Sequence, residues 1–318
     1  MIRNRPFRFG VVVHNTSPAK NELLGQARLA EQLGYSTFLV PDHVGDQFAT
    51  VLALAMAASA TTRLRVGSFV FDNDFRHPVL LAKEAATLDV LTDGRFEFAL
   101  GAGWMGSEYQ QCGITFDPPG IRIERMAEAL HIIKGLFAGS PLTLTGNHYK
   151  VADMVGRPTP IQRPHPPILV GGSGKRMLSL AAREADIVGF TPRTQADVVE
   201  SHMNDVLDIT DALSGAIAQK VEWVRQAAGD RFDNLELNVL VLDVVVANNR
   251  RQATEQLAHR YGLSSEQLLD TPHFLVGSVE QICDDLQSYR ERYGISYLVV
   301  WEEHMEVLAP VVARLAGK

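Results

Sequence analysis

The chain has 318 residues, 46% of them hydrophobic and 21% charged, with a formal net charge of −7 at pH 7. That acidic balance argues against a nucleic-acid surface and fits a soluble cytoplasmic protein. Two cysteines, Cys112 and Cys283, lack metal-type spacing and offer no disulfide framework.

Phe7 to Val13 is a β-branched run and reads as strand 1; Arg3, Arg5 and Arg8 with so short an apolar run do not make a signal peptide. Glu22 to Leu33 places Leu23, Ala27, Ala30 and Leu33 on one helical face, ended by Gly34. Ser36 to Val40 is strand 2, stopping at Pro41-Asp42-His43. Val51 to Ala60 is a helix and the longest apolar-plus-small run, far below the ~18 residues of a membrane span. Leu64 to Phe71 is strand 3. A helix from Pro78 to Leu91 follows, with proline in its first turn. Arg95 to Gly101 is strand 4, and Ala102 to Gly120 reads as a loop. Ile123, Met126, Ala127, Leu130, Ile133 and Phe137 share a face of the next helix. Leu142 to Leu144 and His148 to Val151, about a Gly146-Asn147 turn, predict a surface β-ribbon.

Ile168 to Val170 is strand 5, and Lys175 to Glu184 a helix. Asp186 to Phe190 is strand 6, and 194–229 holds one or two helices. Leu235 to Val246 is strand 7, Gln252 to Tyr261 a helix, and 262–277 an ordered loop. Ser278, with Gln281 three residues on, caps a helix from Val279 to Tyr293. Ser296 to Trp301 is strand 8, and about Met305 to Leu315 the last helix. Eight strands alternating with helices predict a single domain, residues 1–318, folded as an α/β TIM (β/α)8 barrel; an open doubly wound sheet is the rival.

In such a barrel the groups after each strand form the site. They are His14, Asp42-His43, Asp72-Asn73-Asp74, Gly101-Ala-Gly-Trp104 with Glu108-Tyr109, Thr191 with Arg193, and Trp301 to His304. Asp72 to Asp74 also reads as a solvated turn, and Glu302 with Glu303 as acids at a helix start. After strand 5, Gly171-Gly-Ser-Gly-Lys175 turns the chain into a helix; unpaired N–H groups and the helix dipole make such a turn an anion site. An ordinary βα turn is the plain alternative. No His or carboxylate cluster has metal-ligand spacing, so no metal is expected.

Together these stretches resemble the luciferase-like monooxygenase superfamily, and within it the branch using the deazaflavin coenzyme F420. The carrying segments are Ala30-Glu-Gln-Leu-Gly-Tyr35 with Pro41-Asp-His43, and Arg65-Val-Gly-Ser-Phe-Val70 with Arg76-His-Pro78. Lys83 to Asp89 with Gly94-Arg95, Gly101 to Trp104 and Pro167 to Gly174 complete them. The resemblance implies a cofactor ring in the barrel mouth. It implies a cis peptide at Phe69–Val70 behind the ring, with Asp42, Asp72, Gly103 and Trp104 near it. It also implies a cofactor phosphate on Gly171, Gly172, Ser173, Gly174 and Lys175. The sequence departs from the sugar-phosphate dehydrogenases of the branch, which carry an acid just after strand 4; here Trp104-Met-Gly106 stands there and Glu108 comes later.

The expected activity is hydride transfer between coenzyme F420 and a small organic substrate. His43 is the first candidate for the catalytic acid/base; Glu108 and His14 follow. An FMN-dependent monooxygenase fed by a reductase partner is the alternative, and a non-catalytic flavin- or deazaflavin-binding protein the second. Family analogy suggests a homodimer through the helices near strands 2 and 3.

Overall fold

The computed structural model describes residues 5–13, 20–194 and 207–318. In chain order the elements begin β1 (Arg8–Val12), α1 (Lys20–Gln32), β2 (Thr37–Val40), α2 (Thr50–Ser59), β3 (Arg65–Ser68), β4 (Phe71–Asp72), α3 (Pro78–Leu91) and β5 (Phe96–Gly101). There follow α4 (Gly106–Cys112), α5 (Pro119–Phe137), β6 (Pro141–Thr145), β7 (Lys150–Val155), β8 (Ile168–Gly172), α6 (Lys175–Glu184), β9 (Ile187–Phe190) and α7 (Ser214–Ala228). The rest are β10 (Glu236–Leu240), β11 (Asp243–Val246), α8 (Arg250–Tyr261), α9 (Ser265–Leu269), β12 (Phe274–Gly277), α10 (Val279–Tyr293), β13 (Ile295–Trp301) and α11 (Met305–Leu315).

Nine strands hydrogen-bond in the order β3-β2-β1-β13-β10-β9-β8-β5-β4, and β3 pairs β5 as well, so the order is circular. Counting β3 and β4 as one interrupted strand, this is the (β/α)8 connectivity of a TIM barrel, as the sequence predicts. By contact density the chain divides into two compact units. One comprises residues 1–13, 29–37 and 171–318, the other 14–28 and 38–170.

In the first unit β13 pairs in parallel with both β1 and β10, and β10 with β9. Every residue of β10 and β13 is buried. Such complete burial belongs to strands covered on both faces, and here it takes in the polar Glu236, Asn238 and Ser296 as well. Ser278 and Gln281 form the predicted capping box of α10. In the second unit β5 pairs with β3, β4 and β8, and all six of its residues are buried. His77 caps α3, with Pro78 in its first turn.

The Asp89 and Arg95 signature proves to be scaffold. Asp89, fully buried, accepts from the backbone N–H groups of Ile161 and Gln162 and from the Gln162 side chain. Arg95 donates to the carbonyls of Ala58, Leu64 and Thr92.

Four elements differ from expectation. Strand 3 is interrupted at Phe69–Val70, where the peptide bond is cis, the isomer the family resemblance implies. Strand 7 ends at Leu240; β11 leaves the main sheet and pairs with β12. The 262–277 stretch therefore carries a helix and a strand, because Phe274 to Val276 are apolar enough to be buried beside β11. The 102–120 loop holds α4. No helix among the described residues is long and apolar enough to cross a membrane.

Candidate active site

The candidate site is built at the C-terminal ends of β2, β4 and β5, within the second unit. Asp42 follows β2 and is saturated with donors. Arg76 binds both its oxygens, at 2.5 and 2.9 Å, the Thr50 hydroxyl donates at 2.9 Å, and the Asp72 N–H at 3.0 Å. A bidentate guanidinium–carboxylate pair is rigid as well as strong. Asp42 thus ties the end of β2 to the end of β4.

Asp72 and Asp74 are not a solvated turn. Asp72 is 8% exposed and caps the following 3-10 turn by accepting from the Asp74 N–H at 2.9 Å. The Asp74 carboxylate pairs with Arg125 at 2.9 Å, and Arg125 also binds Asp117. Among the described residues no cation pairs with Asp72 in this way. Burial pushes its carboxyl up to about 6, and the charges of Asp74 and Asp42 add to the effect against opposing hydrogen bonds. Tyr109 donates to Asp72, with its hydroxyl 2.8 and 3.0 Å from the two carboxyl oxygens and 3.2 Å from Asp74.

After β5 the chain passes through Gly103 at φ +77° and Trp104 into α4. A Cβ at Gly103 would overlap the Tyr109 hydroxyl, so the close approach requires glycine there. Arg122 donates to the carbonyls of Ala102 and Gly103. The short helix then delivers Glu108 to His43: Nδ1 lies 2.8 Å from one carboxylate oxygen, and the other accepts from the Val44 N–H at 3.0 Å. Trp104 stands edge-on to the His43 ring, centroids 5.8 Å apart. A carboxylate on Nδ1 favours the Nδ1–H tautomer, leaving Nε2 as the proton acceptor. Histidine so oriented can take and return a proton.

The other predicted residues lie in the first unit or outside the described residues. Gly171 to Lys175 form the end of β8 and the start of α6, whose N-cap is Gly174 and which has no side-chain cap. A Cβ on Gly172 would lie 2.5 Å from Met177, so this glycine lets the turn sit against its own helix. The uncapped first-turn N–H groups suit a phosphate. His14 lies outside the described residues. Thr191 and Arg193 follow β9 and are fixed by Lys220, which is 1% exposed. Its ammonium donates to the Thr191 carbonyl and to the Asp211 carbonyl and carboxylate, while the Arg193 N–H donates to Asp211. His304 approaches Asp243 at 3.6 Å.

The structure therefore brings Asp42, His43, Phe69, Val70, Asp72, Gly103, Trp104 and Glu108 onto neighbouring strand ends of one unit. Sequence reasoning passed over the groups that organise them. Arg76 was visible only as part of a motif, and Tyr109, Arg122 and Arg125 carried no spacing signal. Lys220, Asp211 and His273 were missed altogether. Among the described residues, no group of three His, Cys, Asp or Glu side chains is placed to hold a metal ion.

A sequence model described as luciferase-like monooxygenase matches residues 5–273. The chain is 32% identical over 219 residues to an F420-dependent glucose-6-phosphate dehydrogenase of Microbacterium testaceum, covering 66% of this chain and 64% of that protein. It is 27% identical over 186 residues to an FMNH2-dependent dimethylsulfone monooxygenase of Pseudomonas putida, covering 57% of this chain and 51% of that one. The matches thus span between half and two thirds of these relatives. Among solved structures, the F420-dependent tetrahydromethanopterin reductase of Methanopyrus kandleri superposes with a TM-score of 0.76 at 16% identity, covering 98% of this chain and 99% of that one. A long-chain alkane monooxygenase gives 0.75 at 16% identity, covering 98% and 91%. These two likenesses are of fold alone.

Proposed function

The chain belongs to the luciferase-like monooxygenase family, and on that premise we propose that it is an oxidoreductase working with coenzyme F420 on a small organic substrate. The observation that carries the reading is the His43–Glu108 pair at 2.8 Å, beside Trp104 at the strand ends. When bound, the deazaflavin supplies the hydride chemistry. His43 moves the accompanying proton at Nε2, and Glu108 holds the imidazole in the tautomer that exposes that nitrogen. Trp104 walls the ring's neighbourhood, and Asp42 with Arg76 fixes the backbone beside Asp72. The glycine turn at 171–175, with its uncapped helix start, is the phosphate subsite in this reading. The named F420-dependent dehydrogenase relative supports the choice of cofactor.

FMN is the second reading, favoured by the monooxygenase relative; a reductase partner would then supply reduced flavin. In either reading the protein acts as a homodimer. The exposed Leu52 (68%) on α2, with Leu80 (59%) and Leu91 (70%) on α3, supports a contact there.

The test is titration of the purified protein with F420 and with FMN, followed by fluorescence quenching. F420 is expected to bind at least tenfold more tightly. Tighter FMN binding selects the monooxygenase reading, and binding of neither overturns the proposal. With F420 bound, hydride exchange against a panel of aldehydes, ketones and alcohols identifies the substrate. Exchange with none of them, despite tight binding, selects the non-catalytic alternative. His43→Gln should leave cofactor affinity intact and cut turnover by about 100-fold or more, the usual worth of a positioned acid/base.

A further inference from the structure

We propose that Tyr109 is a positioning residue for the His43–Glu108 pair: its hydroxyl, clamped by Asp72 and Asp74, sets the direction in which α4 presents Glu108. The proposal rests on the reading of His43 and Glu108 as the proton-handling pair.

Glu108 comes to His43 on a helix of seven residues, without a side-chain cap at its start. A helix that short does not hold itself in place. Its anchor is Tyr109, the neighbouring residue and fully buried. The Tyr109 ring packs against Phe75, centroids 5.4 Å apart, and edge-on to Phe116 at 4.8 Å. Its hydroxyl ends between the two aspartates, 2.8 Å from Asp72 and 3.2 Å from Asp74. Consecutive helical residues point about 100° apart. Pinning residue 109 to the end of β4 therefore fixes the rotation of α4 and aims residue 108 at the end of β2.

Three details support a purpose beyond filling space. A phenylalanine would make the same ring contacts without needing a buried hydrogen-bond partner, whereas the tyrosine meets two carboxyls. The hydroxyl occupies the volume a side chain at position 103 would need, so Gly103 and Tyr109 are matched. Trp104, the next residue, is the ring standing against His43. The clamp thus seats both neighbours of the imidazole, the carboxylate and the indole. The hydroxyl stays protonated, because burial and then the aspartate charges push its ionisation upward. It remains a donor to Asp72, which among the described residues no cation pairs with directly, while Arg125 serves Asp74.

The test needs neither cofactor nor substrate. In the 15N-histidine-labelled full chain at pH 8, the His43 signals, assigned by their loss in His43→Gln, report which ring nitrogen carries the proton. The wild type is expected to show Nδ1–H. Tyr109→Phe should shift most of the population to Nε2–H, and in the F420 assay lower kcat about tenfold with little change in KM. Asp72→Asn keeps an oxygen acceptor for the hydroxyl and should retain the wild-type tautomer. Gly103→Ala presses a methyl onto the same hydroxyl and should reproduce the switch, so a Tyr109→Phe chain that failed to fold would still leave the proposal exposed. A wild-type tautomer in Tyr109→Phe, or in Gly103→Ala, overturns it. Glu108→Ala separates the two levels: if it too leaves the tautomer unchanged, the His43–Glu108 reading itself has failed.

Discussion

Replacing Asp72 by asparagine should stabilise the protein, and more so at high pH. In the folded chain the Asp72 carboxyl is pushed up from 3.8 to about 6, chiefly by burial. A raised acid pKa means that the native state binds the proton more tightly than the unfolded chain. The associated stability is fully present below the unfolded value and is lost as pH rises through about 6. A shift of roughly two units, at about 1.4 kcal/mol each, makes the ionised form cost ~3 kcal/mol at pH 8 and about half that at pH 5. Asparagine never ionises, and its oxygen can still accept from Tyr109 and from the Asp74 N–H, as Asp72 does at 2.8 and 2.9 Å. The variant's advantage should therefore grow by roughly 1–1.5 kcal/mol between pH 5 and pH 8. Urea unfolding at pH 5, 6.5 and 8, with both chains compared at each pH, measures it. An advantage that does not change with pH, or a variant less stable than wild type at pH 8, refutes the reasoning.

Two further outcomes concern the first unit. Lys220→Met leaves the Asp211 carboxylate buried without its ammonium and should cost about 3–5 kcal/mol, of which adding Asp211→Asn recovers a large part; equal urea midpoints for the single and double variants would contradict this. His273 is fully buried, and burial followed by the nearby Lys220 charge lowers its pKa from 6.5 to about 3. Its depressed value means that stability present above pH 6.5 is lost as pH falls toward 3, at up to ~1.4 kcal/mol per unit. His273→Asn should flatten the acid limb of a stability–pH curve by close to one proton, and an unchanged slope would show that His273 takes up its proton as readily in the folded chain as in the unfolded one, which refutes the reasoning.

The strands and helices were readable because each carries its own period. Phe96 to Gly101 and Ser296 to Trp301 are fully buried and, apart from Glu97 and Ser296, read as apolar runs. Ser278 with Gln281 announces a helix start locally. What escaped reading depends on partners far along the chain. The stretch 262–277 looked like a loop because a four-residue strand, Phe274–Gly277, exists only where β11 lies beside it. The interruption of β3 has no local hydrophobic signature, and only the family resemblance placed the cis bond at Phe69–Val70. The strand ends were identified as site-forming, yet the roles within the site depend on pairings no spacing reveals. Asp42 was expected beside a cofactor ring, and its carboxylate is occupied by Arg76, 34 residues away. Tyr109 was noted only as the neighbour of Glu108, because a tyrosine one residue from an acid has no pattern of its own.

The position of Glu108 ties these observations together. The resemblance to the sugar-phosphate dehydrogenases would place an acid directly after strand 4. Here that place is taken by Trp104 and Met105, and the carboxylate reaches His43 from a short helix instead. A side chain on a strand end inherits rigidity from the sheet; one on a seven-residue helix must be given it. The acid cluster of Asp42, Asp72 and Asp74 supplies it, through Arg76 on one side, Arg125 on the other and the Tyr109 hydroxyl between. The unfavourable ionisation of Asp72 is then intelligible as a cost of that arrangement: a buried carboxyl is retained because it receives the hydroxyl that orients the helix. Stability and proton chemistry are coupled through one residue pair. It follows that Asp72→Leu, which removes the acceptor as well as the charge, should misdirect His43 as Tyr109→Phe does, whereas Asp72→Asn should gain stability and keep the histidine in place.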